Sequence, residues 1–201
     1  MPTSTTPPLV AALACAAVVA VPPPAEAAVL DLDDVQLTQN LDAPQVVAVE
    51  VRLDDVDTSG GAIEAFSFDV DVSLDGEGVA TFSDAGDTVD APQLFADEPF
   101  FGLVEPDRVQ LGKVPLAVVS ESVVDGLGLV RLEVTLPAGV SGTFAVVADL
   151  DNTTVNTAAD ASTQLPITGR RGGTITVTAI PEPATLALLG LPALVLRRRR
   201  A

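Results

Sequence analysis

Between Phe66 and Leu74 the chain reads Phe-Ser-Phe-Asp-Val-Asp-Val-Ser-Leu, with every even-numbered residue apolar and every odd-numbered residue polar. Successive side chains of a strand point to opposite faces, so a period of two puts these hydrophobes on one face of an extended segment. The same alternation recurs at Val47, Val49, Val51 and Leu53, at Val130, Leu132, Val134 and Leu136, and at Phe144, Val146, Ala148 and Leu150. Shorter candidates run from Val29 to Leu37, Val79 to Phe82, Arg108 to Leu111, Leu116 to Val119 and Gly173 to Val177, separated by Gly, Pro, Asp and Ser clusters. No segment between Ala28 and Thr178 carries a helical period. About nine strands, each with one apolar face, predict an all-β sandwich of two antiparallel sheets. The irregular stretch from Ser83 to Pro106 is expected to be a surface loop.

Both ends of the 201 residues read as targeting segments. Leu9 to Val21 is an apolar run followed by Pro22-Pro23-Pro24 and Ala25-Glu26-Ala27, a small-residue site of the kind signal peptidase cleaves. Residues 1–27 are therefore expected to be a signal peptide with a helical apolar core, although Met1 to Pro8 carry no Lys or Arg. Cys15 reads as one more small residue of that run, which leaves no cysteine for a disulfide after cleavage. At the other end, Pro181-Glu182-Pro183 precede an apolar run from Ala184 to Leu196 and then Arg197-Arg198-Arg199-Arg200. That run is ~20 Å of helix against a hydrocarbon core of roughly 30 Å. Residues 179–201 thus predict a short transmembrane helix, inserted transiently, whose arginines stay in the cytoplasm and hold Pro181 outside. What lies between, residues 28–178, has the size of one domain. The net charge of -18 includes the four arginines of the tail, so the exported part is more acidic still and repels nucleic acid and anionic membrane surfaces.

The order Pro181-Glu182-Pro183, apolar run and Arg197 to Arg200 resembles the PEP-CTERM sorting signal of Gram-negative bacteria that make extracellular polysaccharide. The resemblance implies that exosortase, a membrane-embedded cysteine protease, recognises Pro181, Glu182 and Pro183, removes the tail and passes the protein to the cell surface or the polysaccharide matrix. Two prolines forbid helix and hold an extended segment at the membrane surface, which suits a protease. The alternative is a tail anchor that is never cut. In the middle, the Val46 to Leu53 strand, Phe66 to Val70, Gly128 to Leu132 and the closing Gly173 to Val177 are similar in layout to cohesin-like domains. That resemblance implies a nine-stranded jelly roll, and a family whose members bind dockerins through one sheet face and nearby loops.

The chain has no His, so a Ser-His-Asp triad and a His-bearing zinc site are excluded, and with no Trp or Tyr and only seven Phe it is poor in the aromatic platforms that hold sugar rings. Carboxylates remain, and a pair of them can run glycoside hydrolysis, but with so few aromatic platforms the expectation is no catalytic site and no enzyme. Asp31, Asp33, Asp34; Asp54, Asp55, Asp57; Asp69, Asp71, Asp75, Glu77; and Asp149, Asp151 with Asn152 form acidic clusters. Asp54, Asp55 and Asp57 beside Gly60-Gly61 are the most loop-like and stand as a candidate Ca²⁺ site. None of the clusters has EF-hand spacing, and the competing reading is a solvated acidic surface. Phe100-Phe101, between Pro99 and Gly102, reads either as an exposed anchor for a partner protein or as a pair tucked under its own loop.

Three classes of function follow: a structural or adhesive protein of the surface or matrix, a cohesin-type module for a specific protein, with or without Ca²⁺, and an enzyme. The tail generates the first prediction. Replacing Pro181, Glu182 and Pro183 by alanine should leave full-length protein in the inner membrane of the native host, read by fractionation and immunoblot; unimpaired surface delivery would refute recognition by exosortase.

Overall fold

The computed structural model describes residues 27–38, 42–75, 80–117 and 119–179. The expected signal helix and transmembrane helix, with Ala25, Pro181, Glu182, Pro183 and Arg197 to Arg200, lie outside the described residues. Among those described there is no helix, and none is therefore long and apolar enough to cross a membrane. The strands are β1 (Ala28–Leu32), β2 (Val35–Thr38), β3 (Gln45–Asp54), β4 (Ile63–Ala65), β5 (Ser67–Asp75), β6 (Thr81–Gly86), β7 (Phe101–Val104) and β8 (Arg108–Lys113). After them come β9 (Glu121–Val123), β10 (Leu127–Leu136), β11 (Gly142–Ala148), β12 (Thr154–Asn156), β13 (Gln164–Leu165), β14 (Ile167–Gly172) and β15 (Thr174–Thr178).

One sheet has the order β14-β1-β3-β10-β6. The larger one runs β13-β12-β5-β11-β15-β2, with β8 paired to β5 and β7 to β8, and β4 and β9 form a small ribbon. The long alternating segments fill the space between the sheets in their expected phase: Val49, Val51, Leu53, Phe68, Val70, Val72, Leu132, Val134, Phe144 and Val146 are all buried.

The described residues form fifteen strands, several of two to four residues, where about nine were expected, and four further details differ from the sequence expectation. Pairing is not wholly antiparallel, since β1 lies parallel to β14 and β2 parallel to β15. Val29 to Leu37 is also two strands, because the chain crosses from one sheet to the other at Asp33-Asp34, just where β14 gives way to β15 at Gly172-Gly173. Both glycines have positive φ (72° and 84°), and a Cβ on Gly172 would stand 1.8 Å from the Leu32 carbonyl oxygen. Only a residue without a side chain lets the first and last strands change sheets together. Third, Leu116 to Val119 makes no strand among the described residues; Pro115 lacks the amide proton a ladder needs, and Leu116 is 92% exposed.

The fourth difference concerns Ser83 to Pro106, which is not a surface loop. β6 extends to Gly86, β7 begins at Phe101, and between them the chain passes from one sheet to the other with Leu94 and Phe95 fully in the core. Phe95 stacks on Phe68 (centroids 6.3 Å apart, planes 9°), and Phe100 meets Phe68 edge-on. Lys113, at an inward position of β8 and wholly buried, donates to Asp87 Oδ1 at 2.5 Å and to the Phe95 carbonyl at 2.9 Å, with the Phe100 ring 4.4 Å from its Nζ. From the other sheet Glu50 Oε1 accepts the amides of Val89 (2.5 Å) and Asp90 (3.1 Å), while its Oε2 accepts from Arg52. The Leu94 amide donates to the Gly128 carbonyl and the Phe95 amide to Glu121. The passage is thus pinned to both sheets.

Burial alone would raise the pKa of Glu50, but the two amides and Arg52 outweigh it and hold the carboxyl below its ordinary 4.5. A carboxyl whose folded pKa is lowered stabilises the fold above the unfolded value and loses that contribution as pH falls through the folded one. Urea midpoints should therefore decline as pH drops below 4.5, and Glu50→Gln should flatten that decline while lowering stability at neutral pH. Phe68→Asp, which places a charge between the Phe95 and Phe100 rings, should cost several kcal/mol, on the order of 3 or more; a midpoint unchanged by it would contradict the packing.

Candidate binding face on the larger sheet

The odd-numbered side chains of β5 face outward from the larger sheet. Its register sets Leu103, Gln110 and Asp71 in one row and Phe101, Gly112, Asp69 and Thr154 in the next. A shallow cleft of about 290 Å³ opens here, lined by Asp69, Asp71, Phe101, Gln110 and Asn152 among others. Gly112 makes it: a Cβ there would lie 2.5 Å from Asp69 Oδ1 and 2.8 Å from the Phe101 ring.

The two aspartates have different states. Arg108 grips Asp71 with Nε (2.9 Å) and a terminal nitrogen, and Gln110 donates to it at 2.9 Å. The Arg108 contact, against the opposing effect of burial, holds the Asp71 carboxyl below the usual aspartate range. Asp71 is also tied through its backbone to the Asp149–Thr153 turn, since Thr153 Oγ1 accepts the Asp71 amide and the Asp149 amide donates to the Asp71 carbonyl. Asp69 has no such partner among the described residues, and burial raises its pKa. The cleft therefore presents one unengaged carboxylate beside a phenyl ring and two side-chain amides, a setting that receives a donor or a cation.

Phe100 and Phe101, adjacent in sequence, separate here. Phe100 turns inward against Lys113 and Phe68, whereas Phe101 is 48% exposed over the cleft. Asp54 and Asp55 are brought together by Arg171, which also pairs with Asp31 at 2.9 Å and contacts Asp55 at 3.0 Å. Asp57 stands apart, accepting the Ser59 amide at 2.9 Å, which lowers its pKa. Among the described residues no group of three or more acidic side chains is placed to hold a metal ion. Ala27, at the expected signal peptidase site, directly precedes β1, and its carbonyl accepts the Asp57 amide. In the sequence Asp69 and Asp71 stand only as part of an acidic cluster, and nothing there marks Arg108, Gln110 or Gly112 as their neighbours. The outward phase of β5 was the available signal; the registers of β7 and β8 were not.

No family model matches the chain, and no curated protein matches it. Solved structures do. The CaDoc0917–CaCohA2 complex contains a chain that is 17% identical over 75% of this chain and 99% of its own, with a TM-score of 0.55; CaCohA2 comes from Clostridium acetobutylicum. The third ScaB cohesin of R. flavefaciens, in complex with a group 1 dockerin, is 20% identical over 79% of this chain and 100% of its own, with a TM-score of 0.52. A type III cohesin from the cell-surface anchoring scaffoldin ScaE of Ruminococcus flavefaciens gives 11% identity over 76% and 88%, with a TM-score of 0.51. The described part of the chain has the cohesin fold.

Proposed function

We propose that this chain is an exported, non-enzymatic protein-binding module of cohesin type that takes its partner on the outer face of the larger sheet. The single observation that carries the reading is the cleft with Asp69 unengaged, Asp71 already neutralised by Arg108 and Phe101 exposed beside them. An exposed aromatic next to a desolvated carboxylate is the composition of an interface anchor. Support for a protein as ligand comes from the fold, whose solved relatives include a cohesin in complex with a dockerin. Catalysis by the two carboxylates is disfavoured, since Arg108 and Gln110 occupy the acceptor positions of Asp71 that a nucleophile or base would need. Signal peptidase, exosortase and the PEP-CTERM tail remain our reading of how the module reaches the cell surface or the polysaccharide matrix of a Gram-negative host, where its role is structural or adhesive.

Capture from the native host's secreted fraction tests the face. The parent protein should retain a specific partner that Asp69→Arg and Phe101→Asp lose by at least about tenfold, equivalent to roughly 1.4 kcal/mol, with their melting temperatures unchanged. Binding should also weaken on acidification from a pH above 3.8 downward, because the raised pKa of Asp69 neutralises it early. Capture unaffected by either substitution, or turnover of glycans lost with Asp69→Asn, would overturn the proposal.

A further inference from the structure

A second surface, adjoining that face at Phe101 but made of backbone and not of the cleft's carboxylates, lies along the free edge of β7. All four residues of Phe101–Val104 are exposed, β8 is their sole strand partner among the described residues, and the strand carries Leu103 61% exposed and Val104 39% exposed. An open edge is usually kept very short or bears a lysine, a proline or an inward charge that blocks pairing; β7 is four residues long but carries none of the blocking side chains. It is also held ready. Gly102, with φ of 130°, brings the backbone so near β8 that a Cβ would sit 2.0 Å from the Gln110 carbonyl oxygen, and Phe100 at its start is anchored against Lys113. The ordering cost of a strand template is thus met before any partner arrives.

The charges around the edge select the occupant. Asp97 and Glu98 precede it, Glu105 and Asp107 follow it, and none of these carboxylates closes an ion pair among the described residues. Two copies pairing edge to edge along β7 would bring these acidic flanks of one copy near those of the other, and like charges brought together at an interface disfavour that pairing. A segment with basic residues meets the opposite situation at both ends.

We propose that the β7 edge binds an extended segment of another protein, alternating apolar and basic residues, by adding it to the larger sheet as a strand. The probe is a hexapeptide of alternating lysine and valine, amidated at its C-terminus and carrying fluorescein at its N-terminus, mixed with the full chain and followed by fluorescence anisotropy and by amide hydrogen exchange. Binding should slow exchange across Phe101–Val104, and N-methylation of alternate peptide amides, or glutamate in place of lysine, should weaken it by at least about tenfold. Leu103→Lys should weaken it as much without changing the melting temperature, while Asp69→Arg, which disables the neighbouring face, should leave it intact. Equal binding of the N-methylated peptide, protection confined to β5 and β8, loss with Asp69→Arg, or association of the chain with itself through β7 in sedimentation would each overturn the proposal.

Discussion

An ammonium group buried among phenylalanine rings loses its hydration and must find every replacement within a few ångströms. Lys113 finds three: the Asp87 carboxylate, the Phe95 carbonyl and the face of the Phe100 ring. All three belong to the passage from β6 to β7, so the same contacts that satisfy the charge hold that passage against the open side of the sandwich. Leu94 and Phe95 stay in the core because of it, Phe68 keeps both of its ring partners, and β7 is delivered to β8 with its start fixed. Glu50 performs the matching task from the other sheet by capping the amides of Val89 and Asp90.

The long strands were legible because their period of two is uninterrupted: Phe66 to Leu74 and Leu127 to Leu136 show which residues face the core without reference to any partner. Strand partnership was not legible in the same way. Nothing local to Val29 to Leu37 shows that the chain changes sheets at Asp33-Asp34, since that depends on a glycine pair some 140 positions later, as the hydrogen bond donated by the Thr174 amide to Asp34 Oδ1 illustrates. The passage through Leu94 and Phe95 looked like a loop because its apolar residues keep no period of two and are interrupted by Asp87, Asp90, Asp97, Glu98 and two prolines. One clue was present. Val109, Leu111 and Lys113 share a phase, so the lysine occupies a position that alternation assigns to the core.

At the candidate site the sequence supplied residue types and the fold supplied their states. Asp69 and Asp71 are two positions apart on one face of one strand, yet Arg108 and Gln110, brought alongside by the antiparallel register of β8, make one a buried structural anion and leave the other to its desolvated setting. Asp54 and Asp55, which looked like the better ligand-binding pair, instead serve Arg171 at the edge where β1 and β14 run parallel. Carboxylates on this domain therefore divide into those that hold strands together and those available to a partner, a division set by where the few arginines fall.

Lys113 is the sole lysine of the chain, and it has no exposed surface. The folded domain consequently presents no lysine amine to its surroundings. Sugar aldehydes have no ε-amino group here to condense with, transamidating enzymes have no lysine acceptor, and a reagent directed at lysine reaches Lys113 only when the domain opens. Modification at Lys113 itself, read on the peptide that carries it, thus becomes a direct reporter of the opening of the passage that Lys113 closes.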